Sequence, residues 1–297
     1  MEQHTSVLLQ ESVEGLALKE GDVVIDATLG LGGHTEEITK HVRDSGIVLA
    51  IDADETAIAY AKERLQKSPT TIHFALGTFG DMKQHADALG IAEVNGVLFD
   101  LGWNSTQLER GRGFSFQKNE PLIMTYSATP GDDVETAHDI VNTWSEKDLE
   151  EILRVLGEEK FSRRIARAIV EARQSEPIQH AKQLADVVYG AVPVFYRKRK
   201  IHPATKTFQA LRMAVNNELS TLTSALDSAF ELLKNGGRIA VITFHSIEDG
   251  LVKRIFRSWA QNEKARLIVK KPLTPSQEEI NKNPRSRSAK LRIIEKI

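Results

Sequence analysis

The chain has no cysteine, which excludes disulfides and thiolate-held zinc at the outset. No stretch approaches about eighteen uninterrupted apolar residues, so a membrane-spanning helix is not expected. The first residues lack the basic and apolar regions of a secretory leader, and the expected compartment is the cytoplasm. What is present is 297 residues with 41% apolar content, enough to core one large domain or two ordinary ones. A net charge of −2 does not resemble a nucleic-acid binder, but the average conceals an asymmetry. Between residues 160 and 212, twelve Lys and Arg face only Glu171, Glu176 and Asp186, a surplus of nine positive charges.

The chain is organised around residues 23–35, Val-Val-Ile-Asp-Ala-Thr-Leu-Gly-Leu-Gly-Gly-His-Thr. A β-branched run ending in clustered glycines before a helical pattern reads as strand, tight loop and helix. A phosphate-binding loop would need Lys-Ser or Lys-Thr after the last glycine, where His34 and Thr35 stand. The dinucleotide spacing Gly-x-Gly-x-x-Gly also fails, because Gly33 follows Gly32 directly, which disfavours a dehydrogenase. What remains is a glycine cluster with one acid before it, Asp26, and another, Asp52, twenty residues after Gly32. That pattern suits a nucleoside whose ribose is held by Asp52 and whose tail carries no pyrophosphate. S-adenosylmethionine is such a ligand; another nucleotide and a purely structural turn are the alternatives.

Strand signals recur at 46–52, 72–75 and 94–101, alternating with helical segments such as 55–65. This implies an α/β fold with a doubly wound, Rossmann-like parallel sheet. The alternation then stops. Residues 102–129, rich in Gly, Ser, Asn and Arg, read as a long functional loop. Residues 134–233 are helical in pattern, with Ser145 and Asp148 forming an N-cap signature and a last helix expected over 205–233. Strands return at 238–244, 267–270 and 290–295, so the sheet is interrupted by a helical insertion. The expected division is a discontinuous cofactor-binding core, residues 1–105 and 215–297, around an inserted, basic, substrate-binding domain, residues 106–214.

Asp100 closes the fourth strand and should share the crevice with the loop and Asp52. An exocyclic base amine is a poor nucleophile because its lone pair is delocalised into the ring. Acceptors that hold its N–H groups help localise that pair, and Asp100, Asn104 and Ser105 are the catalytic candidates. Arg163, Arg164 and Arg167 recur on one helical face, and Arg197-Lys-Arg-Lys200 lies beside Phe195, Tyr196 and His202. Charge with adjacent aromatics suits RNA phosphates and an unstacked base. A second cluster, Lys282, Arg285, Arg287, Lys290 and Arg292, points the same way. His245 and Ser246 look like a hydrolase pair, but adjacent side chains leave a strand on opposite faces. A hydrogen-bonded structural histidine is the expectation there. The nine histidines show no metal-ligand spacing, and no metal is expected.

Taken together these residues resemble the MraW-type ribosomal RNA small subunit methyltransferase H family. The resemblance rests on His4-Thr-Ser-Val-Leu-Leu, Gly32-Gly-His34, Ala50-Ile-Asp52, Asp100-Leu-Gly and Arg112-Gly-Phe-Ser-Phe116. It continues through residues 157–169, His202-Pro-Ala-Thr-Lys-Thr-Phe-Gln-Ala-Leu-Arg212, Phe244-His-Ser-Ile-Glu-Asp249 and Asn283-Pro-Arg-Ser-Arg-Ser. It implies a class I methyltransferase sheet and methyl transfer from S-adenosylmethionine to the N4 amine of a cytidine in the decoding region of small-subunit (16S) rRNA. The implied cofactor contacts are Gly32, Gly33, His34, Asp52, Phe79, Asp100 and Gln107. The implied partner is that rRNA or the assembling small subunit, with no membrane; a homodimer is compatible with the sequence. The chain departs from the family at 103–106, and at 120–126, where Ile123 and Thr125 replace an acid and an arginine. Those departures keep one alternative in view, a relative that binds cofactor and rRNA as an assembly or regulatory factor with altered catalysis.

Overall fold

The structure is a computed structural model and describes residues 6–101, 111–126 and 134–297. The chain divides into two compact units, one of residues 1–102 and 219–297, the other of residues 103–218.

In the first unit, helix α1 (Leu9–Leu16) precedes strand β1 (Val23–Asp26), and α2 (Gly33–Val42) follows the glycine loop. Then come β2 (Ile47–Asp52), α3 (Glu55–Leu65), β3 (Thr71–Leu76), α4 (Met82–Ala88) and β4 (Val94–Asp100). The second unit contributes α5 (Ala137–Thr143), α6 (Glu146–Val155), α7 (Ser162–Ser175), α8 (Ala181–Ala191), the single turn α9 (Val194–Arg197) and α10 (Ala204–Val215). The chain continues with α11 (Glu218–Leu232), β5 (Leu233–Thr243), α12 (Ser246–Gln261), β6 (Ala265–Leu267), α13 (Gln277–Lys282) and β7 (Lys290–Lys296).

The seven strands lie in the order β3-β2-β1-β4-β5-β7-β6. The first five are mutually parallel, while β7 runs antiparallel to both its neighbours. This is the doubly wound α/β class expected from the alternation, extended by an antiparallel edge. Strand residues point alternately to the two faces, and each face has its own core. Ile25, Leu49, Val97, Phe99 and Val241 pack with α4, α11 and α12. Val24, Val48, Leu98, Ala240 and Ile242 pack with α1, α2 and α3. Both faces being covered is why these strands read as continuous apolar runs.

Two boundaries differ from the sequence reading. The strand expected at 267–270 is Ala265–Leu267, its ladder ending before the Lys270-Lys271-Pro272 run. The helix expected over 205–233 is two helices, because Asn217 adopts a left-handed φ of 49° between α10 and α11. Asn216 fixes the break: its amide donates to the Met124 carbonyl at 2.8 Å and its side-chain oxygen accepts the Tyr126 N–H at 2.9 Å.

The second unit buries Ile140, Leu149, Leu153, Ile165, Ile169, Leu184, Val188 and Leu211 in one cluster. Ser145 caps α6 by accepting the Asp148 N–H, as its sequence signature predicts. Residues 111–126 form, as expected, an irregular loop rather than a helix or strand, but one packed into the unit. Phe114, Leu122 and Met124 join the helical core, and the Arg112 guanidinium donates to the carbonyls of Thr125 and Tyr126 at 2.9 and 2.8 Å. Among the described residues no helix is long and apolar enough to cross a membrane.

Candidate active site

Strands β2, β1 and β4 are neighbours, so their C-terminal acids Asp52, Asp26 and Asp100 come to one edge of the sheet. Between β1 and β4 the winding reverses direction, and at such a switch point an open α/β sheet leaves a ligand crevice.

The glycine loop is tied to both flanking strands. Leu29 donates to the Ile51 carbonyl at 2.8 Å, and Gly30 donates its N–H to Asp52 Oδ2 at 2.7 Å. Asp52 Oδ1 accepts the Asp54 N–H at 2.8 Å. A carboxylate has about four acceptor positions, and the backbone N–H groups of Gly30, Asp54 and Ala53 draw on them, leaving capacity for a further donor such as a ribose hydroxyl. Burial pushes its pKa above the ordinary 3.8, opposed by those backbone donors. On the other side Asp100 donates its N–H to Thr28 Oγ1 at 2.6 Å, fastening the end of β4 to the loop.

Asp26 is fully buried beneath the loop. It accepts the Thr35 hydroxyl at 2.6 Å and the Thr28 N–H at 3.2 Å. Burial raises its pKa despite the opposing effect of His34 and these donors. It supports the loop from below rather than facing a ligand. Thr28 and Thr35 are functional in this sense and were missed in sequence, because neither carries a motif; their position beside strand-end acids was the available signal.

His34, in the first turn of α2, is also buried, and burial lowers its imidazole pKa below 6.5. Its Nε2 lies 3.2 Å from the Val7 carbonyl, which can only accept, so the ring proton sits on Nε2. Nδ1 faces Asp100 Oδ2 at 3.7 Å, too far for a direct hydrogen bond.

The glycines divide their work. Gly32 has φ +80°, and a Cβ there would meet the Ala61 Cβ at 3.2 Å and Leu65 Cδ1 at 3.3 Å. A Cβ on Gly33 would lie 2.1 Å from the Ser6 hydroxyl. These two serve close packing. Gly30, also at positive φ, would place a Cβ no nearer than 4.0 Å to any neighbour among the described residues, so among these the open side of the loop is there. Phe79 follows β3 in a turn whose Thr78 cap is closed by Asp81, and it stands edge-to-face with Phe99 at 6.1 Å. Half-buried, it offers an apolar wall.

The structure therefore brings together Gly32, Gly33, His34, Asp52, Phe79 and Asp100 in the first unit. Asn104, Ser105 and Gln107 lie outside the described residues, as do the departures at 103–106. Of the departures at 120–126, Thr125 is buried in the helical unit, while Ile123 is half-buried. His245 is the N-cap of α12: its Nδ1 accepts the Glu248 N–H at 3.3 Å, and Nε2 lies 3.0 Å from the Glu248 carboxylate. That is the hydrogen-bonded histidine expected at the end of a strand.

The basic surplus of the second unit is partly consumed internally. Arg173 donates to the carbonyls of Val141 and Trp144, Arg197 to those of Val192 and Gly190, and Arg212 to both carboxylate oxygens of Glu218. Arg163, Arg164 and Arg167 remain exposed on α7, as do Lys198, Arg199 and Lys200 after α9. In the C-terminal cluster, Lys290 and Arg292 pair with Asp249 at 3.1 and 2.7 Å.

Residues 1–297 match the model of the MraW methylase family. A curated relative from Sulfurihydrogenibium sp. (strain YO3AOP1), named Ribosomal RNA small subunit methyltransferase H, is 44% identical over 297 residues, covering 100% of both chains. Proteins of the same name from Persephonella marina (strain DSM 14350 / EX-H1) and Clostridioides difficile (strain 630) are 43% and 41% identical, covering 100% and 99% of each chain respectively. With that identity sustained from end to end, the chain belongs to the MraW methylase family.

Proposed function

We propose that this protein is an S-adenosylmethionine-dependent methyltransferase that modifies the N4 amine of a cytidine in the decoding region of small-subunit rRNA. The observation that carries the reading is the crevice in which Asp52, the open side of Gly30 and Asp100 surround the β1/β4 switch point. The donor set fits the cofactor. Asp52 turns its remaining acceptor capacity to the ribose, and Phe79 provides an apolar wall for the adenine. Gly32, Gly33 and His34 open α2, whose N-terminus has no side-chain cap and favours a carboxylate. Gln107 is a further cofactor contact in this reading. When bound, the cofactor supplies a methyl group on a sulfonium, ready for in-line displacement.

The protein's own part is to align the acceptor and exclude water. Asp100, anchored through its backbone to Thr28, accepts an N–H of the exocyclic amine and helps localise its lone pair, with Asn104 and Ser105 as further acceptors. The residues 1–105 and 215–297 form the cofactor domain in this reading, and 106–214 the RNA-binding domain. The partner is small-subunit rRNA, free or in an assembling subunit in the cytoplasm. The names of the relatives support the substrate class.

Mass spectrometry of small-subunit rRNA from a deletion strain and a complemented strain tests this. The expected result is one cytidine that loses its N4 methyl group on deletion and regains it on complementation. Unchanged cytidine methylation in the deletion strain overturns the reading.

A further inference from the structure

The aromatic side chains around the basic run of the helical unit differ in what they leave open. The Arg197 guanidinium covers the Tyr189 ring at 4.9 Å, Tyr189 stacks on His202 at 6.0 Å, and His202 stacks on Phe116 at 4.6 Å, both pairs 22° from parallel. Both rings are thus engaged by the unit's own groups, although Tyr189 remains 42% exposed and His202 is exposed. Tyr196 is buried, its hydroxyl donating to Glu159 at 2.8 Å and its ring under the Arg199 guanidinium at 4.7 Å.

Phe195 is different. It is 63% exposed, and its one stacking partner among the described residues is Phe161, T-shaped at 6.1 Å. Such a contact covers at most one face and leaves the other to water. Val194, its neighbour in sequence, and Ile201, just after the basic run, are 62% and 61% exposed, so their apolar surface is not spent on the core. Cations follow each ring of this pair in sequence: Arg163 and Arg164 come just after Phe161, and Lys198, Arg199 and Lys200 just after α9. Among the described residues, none of these five has a carboxylate within ion-pair distance.

An exposed aromatic ring with such cations close in sequence to it and to its partner Phe161 suits a nucleic-acid strand, and specifically an unpaired one. In a duplex the base faces are already stacked, whereas a single strand can place a base on the ring and its phosphates on the cations. We propose that Phe195 is a stacking platform for an unpaired base of the RNA substrate, with Lys198, Arg199 and Lys200 and with Arg163 and Arg164 holding the flanking phosphates. Arg197, the first residue of the basic run, belongs instead to the helical scaffold. The inference rests on the reading of rRNA as substrate, and adds that its recognised segment is single-stranded.

The test uses the full chain, with anisotropy titrations of a short labelled single-stranded RNA and a duplex of matched sequence across a range of salt. Phe195→Ala is expected to weaken single-strand binding by about tenfold, the size of one base–aromatic stack, with an unchanged salt slope. Phe195→Trp restores affinity. Substituting Lys198, Arg199 and Lys200 together by Gln flattens the salt slope by about 0.7 for each phosphate no longer neutralised. Arg197→Gln lowers the melting temperature, whereas Phe195→Ala does not.

Single-strand affinity unchanged in Phe195→Ala, or an equal loss for single strand and duplex, overturns the platform. So does a photo-crosslinker at position 195 that captures a ribosomal protein rather than rRNA on the small subunit. Methyl transfer by the parent chain, measured in the same preparation, separates the two readings. Transfer alongside unaffected Phe195→Ala binding overturns the platform alone, whereas Phe195-dependent binding without transfer overturns the enzyme reading alone.

Discussion

Gly30 donates its backbone N–H to the Asp52 carboxylate at 2.7 Å, so the acid at the end of β2 both shapes the glycine loop and faces the crevice. Its substitution should therefore act twice, through the ribose it would hold and through the loop it fastens. Asp52→Ala is expected to weaken S-adenosylmethionine binding by about 2–4 kcal/mol, from one or two lost hydrogen bonds to a charged acceptor. Titration calorimetry measures this, and an unchanged dissociation constant removes Asp52 from the cofactor site.

The same acid gives a pH dependence. Burial raises the Asp52 pKa above its ordinary 3.8, so protonation on acidification begins earlier than for an exposed aspartate. A protonated carboxyl loses acceptor capacity, and cofactor affinity should fall as pH drops through the raised value. Asp52→Asn has no such proton to gain. Its affinity, lower throughout, should lack that acidic limb when both proteins are titrated over the same pH range.

Beneath the loop Asp26 makes a prediction about stability. Asp26→Ala leaves the Thr35 hydroxyl and the Thr28 N–H without their acceptor, at about 1–3 kcal/mol for each buried group. Asp26→Asn keeps an acceptor and should cost less. Because burial raises the Asp26 pKa, the native state holds this proton more tightly than the unfolded chain. Its contribution to stability falls as pH rises from 3.8 through the raised native value. Urea unfolding at several pH values should show that fall in the parent chain and a flatter profile in Asp26→Asn.

What was legible in sequence was what is local. Val23 to Ile25 read as strand and Gly30 to Gly33 as loop because β-branching and glycine act on the residue that carries them. Asp52 and Asp100 could be placed together because strands of a doubly wound sheet end on one edge. Interactions that depend on distant partners were not legible. Asn217, a residue type that tolerates left-handed φ, is only a weak mark of a helix break; the break is held by Asn216 reaching residues 124 and 126. Arg112 looked like part of a polar loop, yet it draws two carbonyls together so that Met124 can be buried. Arg197 and Arg212 carry the same charge as Lys198, and only the folded unit distinguishes scaffold from surface.

Arg212 shows the energetic side of that distinction. It makes a two-pronged pair with Glu218 at 2.6 and 2.8 Å, both side chains are about nine-tenths buried, and Glu218 also accepts the Tyr126 hydroxyl at 2.7 Å. Removing one partner strands a buried charge, so Arg212→Ala should destabilise the protein by about 3–5 kcal/mol. The double change Arg212→Met with Glu218→Leu leaves no unpaired charge and should be less destabilised than Arg212→Ala. Chemical denaturation of the three proteins checks the order; equal losses in the single and double variants would mean that a stranded Glu218 charge is not what destabilises Arg212→Ala.

Gly30 and Gly32 allow ligand approach to be separated from packing within one loop. Both have positive φ, 53° and 80°, so alanine at either costs about 1–2 kcal/mol of backbone strain. At Gly32 the new Cβ would also press on Ala61 and Leu65 at 3.2 and 3.3 Å, in the seam between the loop and α3. At Gly30 it would have no neighbour nearer than 4.0 Å among the described residues and would stand beside the Asp52 carboxylate. Gly32→Ala should therefore lose more unfolding free energy than Gly30→Ala. Gly30→Ala should show the larger loss of S-adenosylmethionine affinity per unit of stability lost. Melting curves and calorimetry on both variants decide this. Parallel losses of stability and affinity in the two would place the ligand away from Gly30.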